Sequence, residues 1–112
     1  MICDALEDLG FEVTRHAYGV DTAFEARSGA GGRLVNSNAE YDALPDIGHA
    51  CGHNLIATAS LTAFLALSYM LKAYDLPGRT QLLGTPAEEI GGGKIVLLKA
   101  GAYEGVNASL MA

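Results

Sequence analysis

From Ile47 to Leu71 the chain carries no Asp, Glu, Lys or Arg. A helix of that length spans a bilayer, but an apolar run of this kind also describes a helix buried against a sheet. Asn54, Thr58, Ser60, Thr62 and Ser68 interrupt it, and its start holds His49, Cys51 and His53. No aromatic belt or strongly basic flank frames it. The expectation is a buried core helix from about His53 to Tyr74, stopped by Asp75 and Pro77, and no membrane span.

The segments around that helix read as strands. Phe11 to Tyr18 alternates in polarity, Thr22 to Ser28 follows, and the Gly29 to Gly32 stretch turns the chain into Arg33 to Tyr41. The third strand is the weakest of these because Asn36, Ser37 and Asn38 sit inside it. Thr80 to Thr85 is a short apolar strand ended by Pro86. Lys94 to Ala100 is a short amphipathic helix capped by Gly101, and Ala108 to Ala112 starts another strand. Strand, long helix, strand, short helix, strand is the rhythm of an α/β fold: a mostly parallel sheet with flanking helices. The 112 residues make one domain-sized unit, and an end on a fresh apolar strand suggests an incomplete one.

Charge and cysteine usage narrow the function classes. The net charge is -6 and no Lys/Arg cluster is present, which disfavours nucleic acid as a partner. Only Cys3 and Cys51 are available, so there is no disulfide framework, and the acidic start MICDALEDLG is unlike a signal peptide. The reading is a cytoplasmic protein with free thiols.

Two short segments carry chemistry. In GHACGHN, residues 48 to 54, Cys51 and His53 are two apart, so in an extended segment they point the same way, with Gly52 leaving space between them. Thiolate and imidazole are both good ligands for zinc-like ions, and the start of a helix favours a thiolate. Taken alone, such a pair more often marks a buried cysteine beside a packing histidine. A cysteine nucleophile with a histidine base ranks last, because close sequence neighbours seldom align for proton transfer.

In GTPAEEIGGGK, residues 84 to 94, Glu88 and Glu89 follow a strand, where active-site groups of parallel sheets gather. Adjacent side chains diverge, so one acid is free to bind a cation while the other handles protons. The three glycines read as open walls. The bland alternative is a solvated acidic loop. A phosphate loop at Gly93-Lys94 is excluded, because Ile95 stands where Ser or Thr is needed. Together the two segments offer Cys51, His53 and Glu89 as ligands of a metal site, with Glu88 to spare.

AEYDALPDIGHACGHNLIATAS followed by GTPAEEIGGGK resembles the aminoacylase-like metallopeptidases. Within these it looks closest to the branch of p-aminobenzoyl-glutamate hydrolase and the β-alanyl-lysine dipeptidases. The resemblance extends to GFEVTRHAYGVDTAFEA upstream and LLKAGAYEGVNASLMA downstream. It implies a zinc-exopeptidase-like fold and a two-metal hydrolase cutting amide bonds of small N-acyl amino acids or dipeptides. On that pattern Cys51, His53 and Glu89 are metal ligands, Glu88 is the general base, and Asp42 orients a ligand. The metal is divalent, with zinc favoured over manganese, and two ions are expected in the complete enzyme type.

Such proteins also carry a His just beyond a segment like ASLMA, another late in the chain, and a dimerisation domain. Residues 1 to 112 are therefore expected to be the N-terminal part of the catalytic domain, with dimerisation confined to a full-length form. The competing reading is a non-catalytic α/β piece that binds a metal, or a partner through its last strand.

Overall fold

The computed structural model describes residues 1–112, apart from the side chain of Ile90. Helix α1 (Ile2–Asp8) leads into β1 (Glu12–Arg15), a 3-10 turn at Ala17–Gly19, β2 (Phe24–Ala30) and β3 (Leu34–Glu40). Next come α2 (His53–Ala73), β4 (Gly78–Thr85), the one-turn helix α3 (Glu88–Gly91), α4 (Gly93–Lys99) and β5 (Ala108–Leu110). The first strand stops at Arg15 because His16 and Tyr18 take left-handed backbone conformations, with φ of 52° and 58°.

One five-stranded sheet has the order β1-β2-β4-β3-β5. β3 runs parallel to β4 and β5, while β4 with β2 and β2 with β1 are antiparallel. The α/β class with flanking helices agrees with the sequence pattern, but the sheet expected to be mostly parallel is mixed: β4-β3-β5 is parallel and β1-β2-β4 antiparallel. A short turn joins β2 to β3, yet the two are not neighbours. The crossover through α2 places β4 between them, beside β3 on one edge and β2 on the other.

Helix α2 lies on β3 and β4 through one stripe: His53, Ala57, Ser60, Phe64 and Ser68 are buried, at three- and four-residue spacing. Phe64 is fully buried among Leu6, Phe24, Ala26, Ala39 and Leu82, and the small Ala39 and Ala57 let helix and sheet approach. The expectation of a helix covered all round does not hold. Leu55 is 70% and Tyr69 71% exposed, because the sheet covers a single face of α2. By length and composition α2 is long and apolar enough to cross a membrane.

The strand that looked weakest is central. Asn36, Ser37, Asn38 and Glu40 of β3 are all buried between β4 and β5. Side-chain bonds compensate the polar burial. Asn36 Nδ2 donates to Ser109 Oγ at 2.8 Å, Asn38 Nδ2 donates to the same oxygen at 3.0 Å, and the Tyr103 hydroxyl donates to Asn38 Oδ1 at 2.8 Å. On that side of the sheet Leu97 of α4 packs with Leu83, Ala23 and Ala102. β3 ends at Glu40 and β4 at Thr85, so both parallel strands deliver the following residues to one edge.

Candidate metal centre

His53 is the first residue of α2 and is 5% exposed. The left-handed Gly52 (φ 82°) turns the chain into the helix just before it. His53 Nδ1 lies 3.1 Å from the carbonyl oxygen of Asp42 and 3.3 Å from its Oδ1. A carbonyl only accepts, so this contact makes Nδ1 the protonated nitrogen and aims Nε2 into the site. Nε2 stands 3.5 Å from Glu89 Oε1 and 2.7 Å from Glu40 Oε1. The shorter separation is an ion-pair contact, and a cation arriving at Nε2 would have to take its place.

Cys51, His53 and Glu89 each bring one ligand atom into a group whose members lie within 4.8 Å of one another. Three residues chosen from two separate motifs thus converge. Cys51 is exposed and Glu89 is half exposed, while the histidine between them is buried. A second group, Glu40, Asp42 and His53, meets the same distance criterion and shares the histidine. Asp42 also ties the two motifs together, because its Oδ2 accepts from the Glu89 backbone N–H at 3.4 Å.

Glu88 stands beside the cluster and outside both groups. Ala87, in a left-handed conformation (φ 57°), turns the chain sharply after Pro86, and Glu88 begins α3 directly afterwards. Its Oε2 lies 2.8 Å from Lys94 Nζ. The same ammonium bonds Glu40 Oε2, whose carboxyl group is only 4% exposed. Burial works against the Lys94 charge, but the Glu40 and Glu88 carboxylates outweigh it and hold its pKa above the ordinary lysine value.

The sequence reading missed Glu40 and Lys94. Glu40 closes a parallel strand, the position where site residues collect, but the polar run before it drew attention away. Lys94 was weighed only as part of a phosphate loop. Of the three glycines expected to keep the walls open, Gly93 is instead a packing device, while Gly91 has room around it. A Cβ on Gly93 would sit 1.8 Å from the Pro86 carbonyl oxygen, and the Gly93 N–H donates to Ala87 O at 3.2 Å. That close approach sets where α4 begins, and Lys94, its second residue, meets Glu40 and Glu88.

The donor set fits a divalent cation. Glu40, Asp42 and Glu89 gather around His53, Glu88 and Glu40 share Lys94, and the Cys51 thiol and the oriented imidazole complete a mixed N, O and S set suited to zinc-like ions. Asp42 Oδ1 is buried and makes no hydrogen bond, which leaves local negative charge for an ion to offset.

No protein-family profile matches the chain. It is 47% identical over 104 residues to the Xaa-Arg dipeptidase of Mus musculus, covering 85% of this chain and 24% of that protein. It is 34% identical over 126 residues to one of the subunits of the p-aminobenzoyl-glutamate hydrolase of Escherichia coli (strain K12), covering 97% of this chain and 26% of that one. Its fold overlays the Bacillus subtilis YXEP protein, a dinuclear metal binding peptidase of the M20 family, with a TM-score of 0.73. That overlay has 25% identity and spans 96% of this chain and 34% of the other.

The chain is a homologue of these hydrolases and shares the fold of an M20 peptidase.

It spans about a quarter of the length of the curated relatives it matches. A putative aminohydrolase from methicillin-resistant Staphylococcus aureus has the same fold, with a TM-score of 0.73 at 21% identity. Both potential ligand groups of the chain are built on His53.

Proposed function

We propose that this chain is the ligand-bearing portion of a metal-dependent amidohydrolase that cuts amide bonds in small N-acyl amino acids or dipeptides. The observation that carries the proposal is the convergence of Cys51, His53 and Glu89 within 4.8 Å while Glu88 stays outside the ligand group. Names of relatives point the same way, since one is an Xaa-Arg dipeptidase and another a p-aminobenzoyl-glutamate hydrolase. Zinc is the metal we favour, because a cysteine sulfur among the ligands selects a softer ion than manganese. Two ions fit the dinuclear family member, with the further ligands supplied outside residues 1–112. A reducing cytoplasm would keep Cys51 available as a thiolate.

Each residue has a distinct task in this account. Cys51, His53 and Glu89 would hold the cation, and Asp42 fixes the His53 ring through Nδ1. A bound divalent ion supplies a water acidified from a pKa of about 15.7 to about 7 and Lewis-acid polarisation of the amide carbonyl. Glu88 accepts the proton of the attacking water and returns it to the leaving amine. Its Oε2 is engaged by Lys94, so proton transfer falls to Oε1. The carboxylate then shuttles one proton per turnover and ends as it began.

The test is a zinc-loaded preparation assayed on N-acyl amino acids and β-alanyl dipeptides. Glu88→Gln is expected to retain zinc and lose at least about 100-fold in kcat, the low end for general-base removal. An unchanged rate in that variant would remove Glu88 from the base role. The competing reading, a metal- or partner-binding piece without catalysis, predicts zinc binding with no turnover in any variant.

A further inference from the structure

We propose that Lys94 is the positioning residue for Glu88, clamping it to the buried Glu40. The inference rests on the reading of Glu88 as the base, but its geometry stands independently. One ammonium bonds an oxygen of Glu40 and, at 2.8 Å, an oxygen of Glu88. Glu40 is itself fixed by burial at the end of β3, its side chain being only 4% exposed. Lys94 therefore ties the exposed Glu88 to a carboxylate held by the sheet.

Glu88 needs such an anchor. Its side chain is 40% exposed on a four-residue helix, and a helix of one turn has almost no rigidity of its own. A carboxylate at such a place samples several rotamers in water. Lys94 removes that freedom by holding Oε2, and it leaves Oε1 as the only oxygen for proton transfer. The lysine is itself constrained. It is the second residue of α4, and the packing of Gly93 against Pro86 fixes where α4 begins.

Two alternatives make different demands. If Lys94 were only a counter-ion for buried Glu40, its loss would cost stability and leave Glu88 alone. If it repelled the metal, its loss would tighten zinc binding.

The experiment compares wild type, Lys94→Met, Lys94→Gln and Lys94→Arg in the chain as it stands. Three readouts are taken: amide exchange at Glu89 and Gly93, zinc affinity by calorimetry, and kcat and KM of the zinc-loaded protein. The clamp predicts exchange about tenfold faster at those two amides in Lys94→Met, as expected for a segment whose local opening has become easier. It predicts unchanged zinc affinity, and kcat lower by about 100-fold at constant KM, the scale of a roughly 1 Å misplacement. Lys94→Arg restores both exchange and kcat. Lys94→Gln gives the same result as Lys94→Met, and it serves as the test if the methionine variant does not fold.

Unaltered exchange at Glu89 and Gly93 overturns the proposal, as does a fall in kcat matched by a fall in zinc affinity. A wild-type protein that binds zinc without turnover sinks the hydrolase reading, and the exchange data still decide the clamp.

Discussion

Replacing Gly93 by alanine tests how the acid pair is built. An alanine Cβ there would lie 1.8 Å from the Pro86 carbonyl oxygen and 3.0 Å from its carbon. Neither atom belongs to a flexible side chain, so the backbone must part by roughly 1.5 Å to reach ordinary contact. Overpacking of this kind costs typically about 1–3 kcal/mol, and a backbone obstacle places it at the upper end. The Gly93 N–H to Ala87 O bond, 3.2 Å long, is lost in the same movement and adds about 1 kcal/mol. The expected loss is therefore about 4 kcal/mol, a large part of the roughly 5–15 kcal/mol that holds a domain together.

Gly91 supplies the control. The nearest atom to its added Cβ is Ala87 Cβ at 3.8 Å, so Gly91→Ala should change stability by less than about 0.5 kcal/mol. Urea unfolding followed by circular dichroism measures both variants. If the two midpoints coincide, the close packing of Gly93 does not set the position of α4, and the account of how Lys94 reaches Glu88 fails with it.

Other expectations concern the metal and alkaline pH. Asp42→Ala removes the carboxylate near His53 Nδ1 but keeps the backbone carbonyl at 3.1 Å. Its zinc affinity, read by calorimetry, should therefore fall by about tenfold, the low end for losing a group that orients a ligand, and a loss beyond about 100-fold would contradict this. Tyr41 is pushed up to about 12, chiefly by burial and then by the neighbouring Cys3 and Asp42 charges, and its hydroxyl donates to the Thr22 carbonyl. A group whose pKa is raised on folding contributes stability below its unfolded value, about 10 for tyrosine, and loses it as the pH climbs through the folded value. Unfolding free energy should accordingly drop between about pH 10 and pH 12, and Tyr41→Phe should flatten that slope. A slope identical in both proteins would refute the assignment.

Much of the fold was legible because its signals are local. The charge-free run, the proline and glycine punctuation and the alternating strands placed α2 within a residue of its observed end and located all five strands. The stop of β1 was not legible, since it depends on left-handed conformations at His16 and Tyr18 that no pattern announces. Nor was the partial exposure of α2, because an apolar composition does not say which face meets a sheet.

The site divides in the same way. Cys51, His53, Glu88 and Glu89 carry their chemistry in two short motifs. Glu40 and Lys94 act only through partners far away in sequence, each unremarkable until the sheet and the glycine turn bring them together. The run Asn36 to Glu40 weakened the reading of its strand for a related reason. Its polar side chains are satisfied by Ser109 and Tyr103, far away in sequence.

X-ray absorption at the zinc edge, combined with a crystal structure of the zinc-loaded chain, tests the ligand assignment most directly. The account predicts zinc at about 2.3 Å from Cys51 Sγ, about 2.0–2.1 Å from His53 Nε2 and about 2.0–2.2 Å from a Glu89 oxygen. An ion with no sulfur neighbour, held instead by Glu40, Asp42 and His53, would contradict it.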